Sequence, residues 1–335
     1  MGAHPEFINF PAILDRSAYE RAVRSYVMAV GSRASAIYHV GNVRFPGLSD
    51  IDLVVVVNTS ARDNNQFFSP YVRLGKQQTR LFHHEPRFLP LTCIDAIRYS
   101  SCVHAGSGQA MDQIPTVFGS RRTLVHGTDV LGDRAVDVTN ESWQRCRLLE
   151  TSYIFTRSRR ELASERAVDV VKLMSRATSL RYPMRHLHDL LRMSRDRAYE
   201  QRVDRARGRL LDATTTEAEK RKIASDAYDL FDNGVRRFEA NIKTLFGIGR
   251  DEPLSAAVMA MLAGERPAPG VDDEYLTARR AATAFYHEQQ HAYRLSAGSI
   301  FATKPLNGAR KPYVQPLTHR IFFGARWRLR PIVAL

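Results

Sequence analysis

The chain has 335 residues, of which 44% are hydrophobic and 25% charged, which excludes a disordered chain and a mini-protein and leads to an expectation of about two domains. Three cysteines, Cys93, Cys102 and Cys146, are too few for a disulfide framework, and no basic-then-apolar leader opens the chain, so a cytoplasmic location is expected. The net charge is +14, which directs attention to acidic partners.

The first predicted element is a helix over Ser17 to Ala29, with apolar residues at helical spacing and Asp15 or Ser17 as its cap. Ala36 to Val40 reads as a strand ending at Gly41. Ile51 to Val57 (IDLVVVV) is a β-branched run too apolar to leave one face in water, hence a central strand. Its apolar stretch from Leu53 is far below the roughly 20 residues of a membrane span, so no membrane partner is expected. A helix over Phe67 to Arg80 follows, then a third strand over Phe88 to Ile94, where Pro90 argues for a sheet edge or a bulge. Thr123 to Leu131 (TLVHGTDVL) reads as a short strand with a turn.

From Trp143 the period changes to three and four. Helices are expected over Trp143 to Glu161, Glu165 to Arg192 with an interruption near Pro183, Thr216 to Phe246, Leu254 to Ala263, and Glu274 to Leu295. The fold class is therefore α+β: a catalytic α/β domain with a mixed sheet over residues 1–140, a helical domain over 141–296, and a basic, aromatic-containing tail over 297–335 packed on the helices.

The segment that carries chemistry is Val40 to Val57. Asp50 and Asp52 alternate with Ile51 and Leu53 at the start of an apolar strand, and period two sends both carboxylates to one face of the sheet. Two carboxylates that close repel each other. A hard divalent cation with oxygen ligands, such as Mg²⁺, relieves that repulsion and can bridge to a polyphosphate. Upstream, Gly41-Asn42 ends the preceding strand, where an unhindered backbone and a small polar side chain can approach phosphate oxygens.

Together these residues resemble the nucleotidyltransferase superfamily that includes DNA polymerase beta. Its signature is a Gly-Ser turn after a helix and strand and then, past a short loop, an Asp-x-Asp on the next strand; Gly41-Asn42 and Ser49-Asp50-Ile51-Asp52-Leu53 follow that order. The segment Leu124 to Leu131 (LVHGTDVL) also looks like a stretch of the smaller members. Asn42 stands where the family has Ser and can still donate to a phosphate oxygen. A third carboxylate is implied on a neighbouring strand, with Asp95 favoured and Glu85 its competitor. The resemblance implies transfer of a nucleoside monophosphate from a triphosphate such as ATP to an acceptor hydroxyl. Asp50, Asp52 and Asp95 would be catalytic and would hold two Mg²⁺ ions. Gly41, Asn42 and Ser49 would meet the nucleotide, with Lys172 of the early helices as a triphosphate partner.

Charge ranks the acceptor. Residues 1–140 carry 14 basic and 12 acidic side chains, leaving a net +12 beyond them. No carboxylate side chain follows Glu288, whereas Arg326, Arg328 and Arg330 flank Trp327 in a tail rich in basic and aromatic residues. RNA or a nucleotide is therefore preferred to a cationic small molecule as acceptor, and the oligomeric state is left open. Two alternatives stand beside this reading. One is a catalytically degenerate member that binds nucleic acid or a protein partner through the basic half. The other is a zinc peptidase through His287-Glu288-x-x-His291, whose two histidines would share a helix face; only His319 remains downstream as a further ligand, and a polar helix face is the preferred account. His83-His84 and His186-x-His188 are read as surface or core histidines.

Overall fold

The computed structural model describes residues 5–41, 43–57, 81–82, 87–91, 122–132, 140–273 and 276–277, and the fold is mixed α+β. Strand β1 (Glu6–Ile8) is followed by helix α1 (Arg16–Val30), a single 3-10 turn (Gly31–Arg33), and strands β2 (Ala34–Val40), β3 (Asp52–Val57), β4 (Arg87–Pro90) and β5 (Arg122–Gly127). The helical part comprises α2 (Glu141–Ser164), a short strand β6 (Ala167–Asp169), α3 (Val170–Ser179), α4 (Arg181–Leu190), α5 (Arg197–Leu210), α6 (Glu217–Leu245) and α7 (Leu254–Ala263).

Helix α1 starts where Asp15 accepts the N–H of Ser17 and buries Tyr19, Ala22, Tyr26 and Val30, which recur at helical spacing on one face. That face covers a four-stranded sheet of order β4-β3-β2-β5. Strands β2 and β3 are antiparallel, as are β2 and β5, while β4 runs parallel to β3. The sheet is thus mixed, and Pro90 lies on a strand at its edge, where a missing N–H breaks no ladder bond on the outer side. Ile51, Leu53, Val55 and Val57 pack with α1, while Val54 and Val56 are buried on the other face opposite Tyr38 and Ala36. Burial on both faces accounts for the continuous apolar run, each such side chain contributing about 1.5–3 kcal/mol relative to exposure.

Helix α6, opened by a capping box of Thr216 and Glu219, packs on α2, α3 and α5. This second core also takes in Phe7 of β1 and Leu48 of the β2–β3 loop. Strand β1 pairs in parallel with β6, and Asn9 donates to Asp169 at 2.7 Å, so the start of the chain is built into the helical half. Among the described residues no helix is long and apolar enough to cross a membrane.

Three expectations change. The stretch from Glu165 is not one interrupted helix: β6 forms first, and the break between α3 and α4 falls at Leu180. Pro183 lies in the first turn of α4, where its missing N–H has no intrahelical partner to lose. Helix α5 and the pairing of β1 with β6 were not expected at all. The Phe67 to Arg80 helix, the tail and most of the Glu274 to Leu295 helix lie outside the described residues.

Candidate active site

The aspartate pair sits at the mouth of the sheet. In the antiparallel ladder Val40 pairs with Asp52 and His39 with Leu53, so the turn at Gly41 adjoins the start of β3. Ile51 and Leu53 are both in the core under α1, while Asp50 and Asp52, which alternate with them, are partly exposed. Gly41 has a φ of +80°, a left-handed backbone that favours glycine, and a Cβ there would meet no atom of the described residues within 4 Å. It is glycine for its conformation.

The loop between Gly41 and Asp50 is tied from two sides. Phe45 and Ser49 close it internally: the Ser49 N–H donates to the Phe45 carbonyl at 2.8 Å, and the Phe45 N–H donates to Ser49 Oγ at 3.1 Å. The Tyr19 hydroxyl donates to the Ser49 carbonyl at 2.7 Å and accepts the Gly47 N–H at 2.8 Å. Burial pushes the Tyr19 hydroxyl above its ordinary pKa, with the Asp50 charge acting the same way, so it stays protonated and keeps donating. Gly47 has a φ of +99°, and a Cβ would sit 2.0 Å from the Ala12 carbonyl oxygen and 3.0 Å from Leu211.

From the other side comes α5. Arg44 lies 3.1 Å from Asp204, and the Arg207 guanidinium stacks on the Phe45 ring at 4.2 Å. The same helix face supplies Leu211 at its C-cap, beside Gly47. The loop that delivers Asp50 and Asp52 is therefore gripped by α1 and α5 together.

Ser49, expected to meet a nucleotide, is buried with its hydroxyl engaged inside the loop. Lys172 caps into the first turn of α3, its N–H donating to Asp169, and its ammonium lies 3.4 Å from Glu165, so its charge is matched by its own segment. Asn42, Asp95, Glu85, His83-His84 and the His287 to His291 motif lie outside the described residues. His188 is buried and His186 is partly buried. His186 packs edge-on to Trp143 with its pKa lowered to about 4 by burial and the neighbouring Arg147. His188 accepts the Asp196 N–H at 3.3 Å. Among the described residues no group of three His, Cys, Asp or Glu could hold a metal ion. Asp50 and Asp52 provide the hard carboxylate oxygens that Mg²⁺ prefers, and a third such ligand would come from elsewhere.

Two further residues bear on β2, one beside the aspartate pair and one in the segment after β5. His39 stands next to Val40, and both Asp50 and Asp52 act on its ring; burial lowers its pKa while the two charges oppose that shift. Nothing in a lone histidine within a strand marks it. Asp129, in the segment after β5, accepts the Tyr38 hydroxyl at 2.7 Å and the N–H groups of Leu131 and Gly132 at 3.1 Å. It holds the turn closing that segment against β2, a structural role that the Gly-Thr-Asp sequence signals through its turn residues.

Comparison of the chain with models of protein families, with curated proteins and with solved structures found no match.

Proposed function

We propose that the chain is a Mg²⁺-dependent nucleotidyltransferase that moves a nucleoside monophosphate from a triphosphate to an acceptor hydroxyl, with RNA or a nucleotide as acceptor. The observation that carries this reading is the register of Val40 with Asp52, which sets a left-handed Gly41 beside the first residue of β3, with Asp50 two residues before it in the loop. A glycine turn suits phosphate oxygens, and a carboxylate pair suits the cation that accompanies them.

In this reading Asp50 and Asp52 hold the cation, with Asp95 as the third carboxylate. Bound Mg²⁺ supplies neutralisation of the triphosphate charge. Gly41 and Asn42 receive phosphate oxygens. The hydrogen bonds of Tyr19 and Ser49 hold the loop so that Asp50 and Asp52 are already placed when substrate arrives, since such chemistry depends on positioning and charge. The acceptor oxygen attacks the α-phosphorus in line, its proton passes to a carboxylate, and pyrophosphate leaves.

The test is incubation of the protein with each α-³²P-labelled triphosphate, Mg²⁺ and total cellular RNA or lysate. Label is expected in the RNA or nucleotide fraction, dependent on Mg²⁺ and on Asp52. No transfer from any triphosphate to any fraction would overturn the reading.

A further inference from the structure

Helix α5 brings more positive charge to the loop than it neutralises. Asp204 uses both carboxylate oxygens on partners: Oδ1 accepts from Arg181 at 2.8 Å, and Oδ2 faces Arg44 at 3.1 Å. Arg207, one turn further on, makes no ion pair with it. Arg207 is only 6% exposed, and its Nε has no hydrogen-bond partner among the described residues. Its contact is the face of Phe45, which attracts a cation but accepts no N–H in the ring plane. Two of the three guanidinium groups thus hold the one carboxylate.

A buried charge without a partner costs several kcal/mol, and an arginine presents a planar fork of donors that matches phosphate oxygens. Burial and the nearby Arg181 charge push the Arg207 pKa down to about 10, with Asp204 opposing that shift only in part. Arg159, whose Nε also lacks a hydrogen-bond partner among the described residues, lies between Asp232 and Glu239, and Arg185 is bonded through two nitrogens to Glu200. Arg207 has a ring face in place of such an ion pair.

The geometry points to an anion site formed by Arg44, Arg181 and Arg207 against Phe45, which takes a phosphate group of a bound ligand. It stands on the arginine cluster and not on nucleotide transfer. The phosphate can come from a nucleotide's polyphosphate or from the backbone of an RNA acceptor, and the two sources are separable by probe.

The full chain is titrated with inorganic pyrophosphate and, separately, with a short single-stranded oligoribonucleotide, both without divalent cations. Arg44→Gln, at a side chain 62% exposed, and Arg207→Gln should each weaken binding about tenfold, the scale of one charge-assisted hydrogen bond. Asp204→Asn should tighten it, because a competing carboxylate is neutralised; a purely structural cluster would give no such gain. Asp52→Asn should leave this binding intact, which separates the site from the catalytic reading. Loss confined to pyrophosphate identifies the polyphosphate source, and loss confined to the oligonucleotide identifies the RNA backbone. Should Arg207→Gln fail to fold, Arg44→Gln decides alone. Binding of both probes that is unaffected by Arg44→Gln and Asp204→Asn, or no binding of either, would overturn the proposal.

Discussion

The Tyr19 hydroxyl bridges two backbone groups of one loop, donating to the Ser49 carbonyl at 2.7 Å and accepting the Gly47 N–H at 2.8 Å. Tyr19→Phe leaves both backbone groups without this partner while preserving the ring's packing. The expected loss is about 1–3 kcal/mol, read as a lowered urea midpoint. If Asp50 depends on this clamp, transfer should fall further than the unfolded fraction explains. An unchanged midpoint would remove the hydroxyl from the account of the loop.

Two glycines of the same loop region separate backbone strain from collision. Gly41→Ala places a side chain on a left-handed backbone with no atom of the described residues within 4 Å of the new Cβ, at a cost of about 1–2 kcal/mol. Gly47→Ala adds a Cβ at 2.0 Å from the Ala12 carbonyl oxygen, and should cost about 3 kcal/mol or more as the loop is forced away from its contacts. Chemical denaturation of both variants measures the difference; equal effects would mean that the loop moves freely at Gly47.

Asp52→Asn keeps the shape of the side chain and removes its charge. Nucleotide transfer should drop by at least about a hundredfold, the scale of losing several kcal/mol of charge stabilisation in the transition state. The melting temperature should stay close to that of the parent, since no cavity opens and carboxylate repulsion is relieved. Transfer at the parental rate would refute the role given to this residue.

His39 reports on the same pair. Burial sets its pKa below the ordinary 6.5, and the Asp52 and Asp50 charges hold it up against that shift. Asp52→Asn should therefore lower it further, which an imidazole NMR titration detects. The sign for stability follows. A histidine held neutral in the folded state contributes stability that is present above its ordinary pKa and is lost as pH falls below it. The loss should extend to lower pH in the variant. An upward shift in Asp52→Asn would contradict the arrangement of these three residues.

Much of the α/β part was legible because its signals are local. The helical spacing of Tyr19, Ala22, Tyr26 and Val30 and the unbroken run from Leu53 to Val57 each report burial directly. Leu254 to Ala263 emerged with its expected bounds for the same reason.

Helix α5 buries Tyr199, Val203 and Leu210 at helical spacing, but charged residues such as Glu200, Asp204 and Arg207 interleave them and dilute the apolar pattern. Those charges meet Arg185, Arg44 and Arg181, and the Phe45 ring, partners that only the folded chain brings near. The roles of Ser49 and Tyr19 were hidden likewise, since a hydroxyl's hydrogen-bond partner is set by tertiary geometry and not by its neighbours in the chain. The three-residue strands β1 and β6 are too short to show any period, and each exists through the other. The sequence alone determined where the carboxylate pair and its strand would lie, because hydrophobic periodicity is a property of consecutive residues. The grip of α1 and α5 on the loop that presents that pair was decided by tertiary structure, because ion pairs, stacking and backbone clamps depend on distances between residues far apart in the chain.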